Sequence, residues 1–293
     1  MSQWDGKSKG TVLGYKIFVF FISKVGIRSA YFILYFVAAF YFIFLKRNNR
    51  AIFYYFNKRL NYTKFQSRMM VFRSYYTFGQ TIIDKIAISA EMHNHFTYEF
   101  EGIDILRNLV AEKKGGLLIS AHIGNFEIAE FFLAEINLDF PINLVTTDLE
   151  HTAIKNYIES ISKKSQTKLI IIKDDLSHIF EINAALLRNE LVCFTGDRYF
   201  EGLKSLSEEL LGQVANFPAG PFLIASRLKV PVVFVYVMKE PKQHYHLYAI
   251  EATVKHRDEK RLLKAYAESV ESMVKKYPLQ WFNYFDFWNA FKN

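Results

Sequence analysis

The stretch LLISAHIGNFEIAE, Leu117 to Glu130, decides how the chain is read. An apolar run ends at Ser120, His122 follows, and Gly124-Asn125 marks a tight turn into a helix whose first turn contains Glu127. On one continuous helix, residues five apart lie about 140° from each other and would not meet. With His122 at a strand end and Glu127 just inside the next helix, the two side chains can converge. A carboxylate beside an imidazole fixes its tautomer and raises its basicity, giving a general base able to deprotonate a hydroxyl.

Downstream, short apolar runs alternate with helical stretches. Strands are expected at Gly116 to Ser120, Ile142 to Val145, Leu169 to Ile172 and Leu191 to Thr195, with helices over about Phe126 to Glu135, His151 to Lys163 and His178 to Arg188. Pro231 to Val237 and His244 to Ile250 read as two more strands, and Lys260 to Lys276 as a helix. Such alternation is the signature of an α/β fold with a largely parallel central sheet flanked by helices.

Upstream the texture differs. Ser29 to Leu45 contains no charge over seventeen residues and is bracketed by Arg28 and Lys46-Arg47. That length is at the short end of what spans a bilayer. Thr11 to Ile22 is also apolar but is interrupted by Lys16. The pair is expected to form an interfacial segment followed by a spanning or deeply embedded helix, the alternative being a buried hairpin of a soluble protein. Positive charge on both sides leaves the orientation open. Ile52 to Ala90 has a helical pattern rich in aromatics and cations. The division is therefore an anchoring segment, residues 1–50, and a catalytic domain, residues 51–293.

Composition supports a membrane setting. Of 293 residues, 51% are hydrophobic and 17% aromatic, with 29 Phe and 18 Tyr, more bulky apolar surface than an ordinary soluble enzyme of this size needs. The formal charge of +8 suits an anionic membrane surface or an acidic partner. Zinc-finger spacing and an Arg-rich tail are absent, so nucleic acid is not the expected partner. The single cysteine, Cys193, excludes an internal disulfide framework and reads as a small buried hydrophobe. No phosphate-binding loop or dinucleotide fingerprint implies a nucleotide cofactor, and none is expected. His93-x-His95 and His244-x-His246 have spacing that metal sites sometimes use, but packed or solvated histidines are the favoured reading, so no metal is expected. Asp174-Asp175 reads equally well as a helix cap.

His-x4-Glu after a strand resembles the His-x4-Asp/Glu motif of glycerolipid acyltransferases, and the whole chain is similar to the bacterial lipid A biosynthesis acyltransferases. Further blocks follow in the order the resemblance requires. Gly196-Asp197-Arg198 follows the strand Leu191 to Thr195. Leu210 to Val233, LLGQVANFPAGPFLIASRLKVPVV, resembles the family's Leu-Gly and Pro-x-Gly-Pro segment. Tyr277-Pro278-Leu279-Gln280-Trp281-Phe282 resembles its closing block. The chain departs from better-known members at Glu127, where some have Asp, at Tyr199 to Gly202, and at Trp281-Phe282-Asn283-Tyr284, which has none of the basic residues often found there. These departures bear on the acceptor, not on the reaction type.

The resemblance implies direct transfer at the bacterial inner membrane, with the catalytic domain on the cytoplasmic face. His122, oriented by Glu127, takes the proton of a lipid acceptor hydroxyl, which attacks the thioester of an acyl carrier protein. The acceptor is a lipid A precursor or a related envelope lipid; a lysophospholipid, amino-acid lipid or pigment is the alternative. A non-catalytic, membrane-anchored relative is a third reading, against which the retained His122 and Glu127 argue. Substrate contacts are expected from Gly124, Asn125, Asp197, Arg198, Phe217, Pro218 and Gly220. Backbone N–H groups of Gly124 and Asn125 are candidates for holding the tetrahedral oxyanion. Arg198 is a candidate for binding a phosphate or, equally simply, for a salt bridge to Asp197. Gly220 is either a close-approach point for substrate or a turn glycine.

Overall fold

The computed structural model describes residues 20, 22, 24–90, 92, 95–137, 140–146, 167–173, 175–199 and 204–291. Most of the 11–22 segment, the helix expected at 151–163, His93, Asp174 and residues 200–203 lie outside them.

The chain enters through three helical segments. α1 (Ile27–Phe44) holds most of the uncharged run, with Arg28 in its first turn. α2 (Lys46–Tyr54) continues into a π-helical turn at Tyr55–Arg59. α3 (Lys64–Ser89) starts at Thr63, whose hydroxyl accepts from the Gln66 amide while the Gln66 side chain accepts from the Thr63 amide. That reciprocal cap satisfies two donors a helix start leaves open and fixes where α3 begins.

The α/β part follows. Its strands are β1 (Thr97–Glu101), β2 (Gly116–Ser120), β3 (Ile142–Thr146), β4 (Lys168–Ile171), β5 (Leu191–Thr195), β6 (Ser205–Leu210), β7 (Gln213–Pro218), β8 (Val232–Glu240) and β9 (His244–Ala252). Seven of them form one sheet in the order β1-β9-β8-β2-β5-β3-β4, parallel throughout except for the β8–β9 pair. The helices are α4 (Ile103–Ala111), α5 (Ala129–Glu135, entered through a 3-10 turn at Phe126–Ile128), α6 (Ser177–Leu187), α7 (Ala219–Arg227) and α8 (Glu259–Lys276). β2 is buried along its whole length, as a central parallel strand covered on both faces must be. α8 covers one face with Leu262, Tyr266, Val270 and Val274, and Tyr266 donates its hydroxyl to the Ser120 carbonyl at the end of β2.

Three features were not expected, the first being helix α4. β1, TYEFE, is an edge strand, and β6 and β7 form a separate antiparallel hairpin. Its two-residue turn is Leu211-Gly212, both with positive φ (53° and 76°), which is the backbone of the twisted hairpin turn and the reason a glycine stands there. The Leu-Gly pair noted in the sequence is thus a hairpin tip. Pro218 pairs with Ser205 at the other end and leads straight into α7.

Candidate active site

Parallel pairing of β2 with β5 sets Ser120 beside Thr195. Two residues beyond each strand end stand His122 and Asp197. Crevices outside the carboxyl ends of strands are where open α/β sheets place their sites. Asp197 Oδ1 lies 2.7 Å from His122 Nδ1 and accepts the His122 backbone N–H at 3.0 Å. Its Oδ2 accepts from Asn283 Nδ2 at 2.8 Å and from Trp281 Nε1 at 3.2 Å. The carboxylate is therefore buried and its oxygens are engaged on every side, while His122 keeps 26% of its side-chain surface exposed.

These contacts set the charges. Burial alone would raise the Asp197 carboxyl, but His122, Arg198 and Asn283 together hold it below the usual carboxylate range. His122 is lowered from the ordinary histidine value by burial and by the positive charge of Arg198, with Asp197 opposing both. Since an ionised carboxylate only accepts, Nδ1 carries the ring proton and the lone pair lies on Nε2. Arg198, pulled down to about 10 by burial, stays cationic at neutral pH. It donates from Nε to Asn283 Oδ1 at 2.7 Å and from one terminal nitrogen to the Phe282 carbonyl at 2.8 Å.

The closing block backs this constellation. Phe282 N–H donates to the His122 carbonyl at 2.9 Å, and Gly124 N–H to the Gln280 carbonyl at 2.9 Å. Gln280 in turn clamps Lys239, accepting its N–H at 2.9 Å and donating to its carbonyl at 2.7 Å. Gly124 has φ +65°, and a Cβ there would lie 2.1 Å from the Val237 carbonyl, so both conformation and space require glycine.

A mostly apolar cavity of about 410 Å³ lies over the sheet face formed by Leu118, Cys193 and Val235. Glu127 and Lys85 are among its lining residues, and the two form an ion pair. Glu127 thus joins the motif to the cavity. Cys193 fits the expected buried hydrophobe, its thiol pushed up to about 12 by burial.

The sequence matches the bacterial lipid A biosynthesis acyltransferase family over residues 7–289. The chain belongs to that family. Comparison with curated proteins gives no match.

For this lipid A-type acyltransferase several expected contacts need correction. Gly124 and Asn125 cannot offer backbone donors to an oxyanion, because their N–H groups are given to Gln280 and to the Val237 carbonyl (2.7 Å). Asn125 is buried and its side-chain amide donates to the Thr81 carbonyl at 2.9 Å, so it holds the motif to α3. Asp197 is 1% exposed and its oxygens accept from His122, Asn283 and Trp281. Phe217 is fully buried against Tyr266 and Phe287 and belongs to the core. Pro218 is half-buried as the last residue of the hairpin, whereas Gly220 faces open space in the first turn of α7. Glu127 was expected to orient the imidazole, but Nδ1 of His122 donates to Asp197, and the Glu127 carboxylate pairs with Lys85. Lys85, Trp281 and Asn283 were not anticipated as parts of the site. The pair His244 and His246 lies along β9, where Glu99 Oε1 is 2.9 Å from His246 Nδ1, and Glu99, Glu240 and His244 bring one ligand atom each within 4.8 Å of one another, a grouping the residue spacing alone did not show.

Proposed function

We propose that this acyltransferase moves a fatty acyl group from an acyl carrier protein thioester to a hydroxyl of a lipid A precursor or related envelope lipid, at the cytoplasmic face of the inner membrane. The observation that carries the chemistry is the buried Asp197 carboxylate on Nδ1 of a partly exposed His122. Nε2 takes the acceptor's proton as its oxygen bonds to the thioester carbonyl carbon. The tetrahedral species then collapses with loss of the C–S bond, and the imidazolium returns the proton to the departing thiolate. No covalent acyl-enzyme is needed. Glu127, held by Lys85 at the cavity wall, is the second carboxylate of the site, and the cavity is where the acyl chain lies. Arg198 is tied to the closing block and sets the field at His122; its contribution to phosphate binding is part of this proposal.

The test is direct. Purified protein is given acyl carrier donors and a panel of lipid acceptors, and products are read by mass spectrometry. We expect acyl transfer to a glycolipid hydroxyl and a loss of roughly 10² to 10⁴ in rate for His122→Ala with folding intact. Wild-type turnover in that variant would overturn the assignment.

A further inference from the structure

α1 is long enough to cross a membrane, yet its packing argues for another placement. Its residues Ile27, Ala30, Leu34 and Ala38 form one buried stripe. The partner is α3, met along the length of both helices. Tyr31 donates its hydroxyl to Asp84, Leu34 sits on Gly79, where an added Cβ would be 2.2 Å from it, and Tyr35, Tyr41 and Phe42 contact Phe72, Tyr75 and Tyr76. α3 cannot leave the catalytic domain, because Asp84 accepts from the buried Lys239 at 2.6 Å and from Tyr245 at 2.5 Å, and Lys85 and Thr81 hold Glu127 and Asn125. For α1 to stand across the bilayer, this polar assembly would have to enter the hydrocarbon with it, where its charges and backbone groups would lose water.

The opposite face of α1 is a ridge of Phe32, Phe36, Phe40, Ile43 and Phe44, all more than half exposed. The exposed cations Arg28 and Lys46 bracket it. Aromatic groups between cations match an anionic lipid interface.

We propose that α1 lies in the plane of the membrane, with this ridge in one anionic leaflet and the catalytic domain seated against the same leaflet. The inference rests on the membrane association proposed above but not on the acyl transfer, and its test uses no activity. Full-length protein carrying Lys24→Cys or Lys46→Cys, with buried Cys193 left in place, is reconstituted in anionic phosphatidylglycerol-containing vesicles and treated with a membrane-impermeant maleimide. We expect both sites to label from the same side. Spin labels at Phe32→Cys, Phe36→Cys and Phe40→Cys should report one shallow depth. Labelling from opposite sides, or depth changing steadily along the helix, would show a spanning helix and overturn the proposal. A ridge equally protected with and without lipid would show that the chain itself covers it, with the same consequence.

Discussion

His122 and Asp197 are seventy-five residues apart in the chain and meet only because β2 and β5 are parallel neighbours ending level with each other. Local spacing pointed to Glu127, since sequence displays an acid five residues away and hides one brought by sheet register. The acyltransferase family was legible in the motif blocks; the carboxylate on Nδ1 of His122 was not. The division of roles can be measured. Asp197→Asn should lower the maximal rate by at least about tenfold, because the ring loses the acceptor that fixes its tautomer. Asp197 also raises the His122 pKa, so the surviving activity should persist to lower pH. Glu127→Gln should leave that acid limb closer to wild type while still reducing transfer. An unchanged rate in Asp197→Asn would return the orienting role to Glu127. The wild-type limb itself should fall below about 6.5, the ordinary histidine value, because a base must be neutral and burial disfavours its charged form. Arg198→Gln removes a charge that depresses His122 and should move the limb to higher pH. pH–rate profiles of the four proteins decide these signs.

At the scale of elements, the parallel strands were readable because strands covered on both faces are continuous apolar runs. β1 was not, since its residues alternate between exposed and half-buried and read as polar chain. The β6–β7 hairpin was hidden by SLSEEL, whose outward residues mask the alternation, although Leu211-Gly212 was a usable turn signal. The uncharged run predicted a helix but could not show which face touches protein. That face is now specific: Leu34 is 4% exposed and Phe36 65%. Leu34→Ala should destabilise the protein by about 2 to 5 kcal/mol, the usual cost of emptying a packed leucine site. Phe36→Ala should leave detergent-solubilised stability unchanged and weaken vesicle binding instead. Thermal unfolding in detergent alongside vesicle flotation checks the pair, and a Leu34→Ala protein as stable as wild type would mean that α1 is not docked on α3.

Across the whole molecule, the charge of +8 has two candidate uses, anionic lipid and an acidic acyl carrier protein. The fold constrains which cations could serve the carrier. Arg198 is drawn inward to Asn283 and Phe282, so it is not a surface contact. Lys113 and Lys114 are exposed but precede β2, at the pole of the sheet opposite His122 and about 16 Å of strand away. Lys204 is exposed next to the hairpin, whereas Arg227, exposed at the last turn of α7, precedes β8, whose start is level with that of β2, and so shares the pole of Lys113 and Lys114. Attraction between exposed charges is screened over about 8 Å at physiological ionic strength. Salt should therefore weaken the apparent affinity for an acyl carrier donor more than the maximal rate, and more than it affects an acyl-coenzyme donor in the same detergent. Lys204→Glu should reproduce part of the loss at low salt, while Lys113→Glu with Lys114→Glu, or Arg227→Glu, should not, because the carrier must bring its thioester to His122. Steady-state kinetics across a salt series test both statements. Equal salt responses for the two donors would exclude a specific docking surface, and a strong effect of the Lys113 and Lys114 pair would place the carrier at the wrong pole for this chemistry.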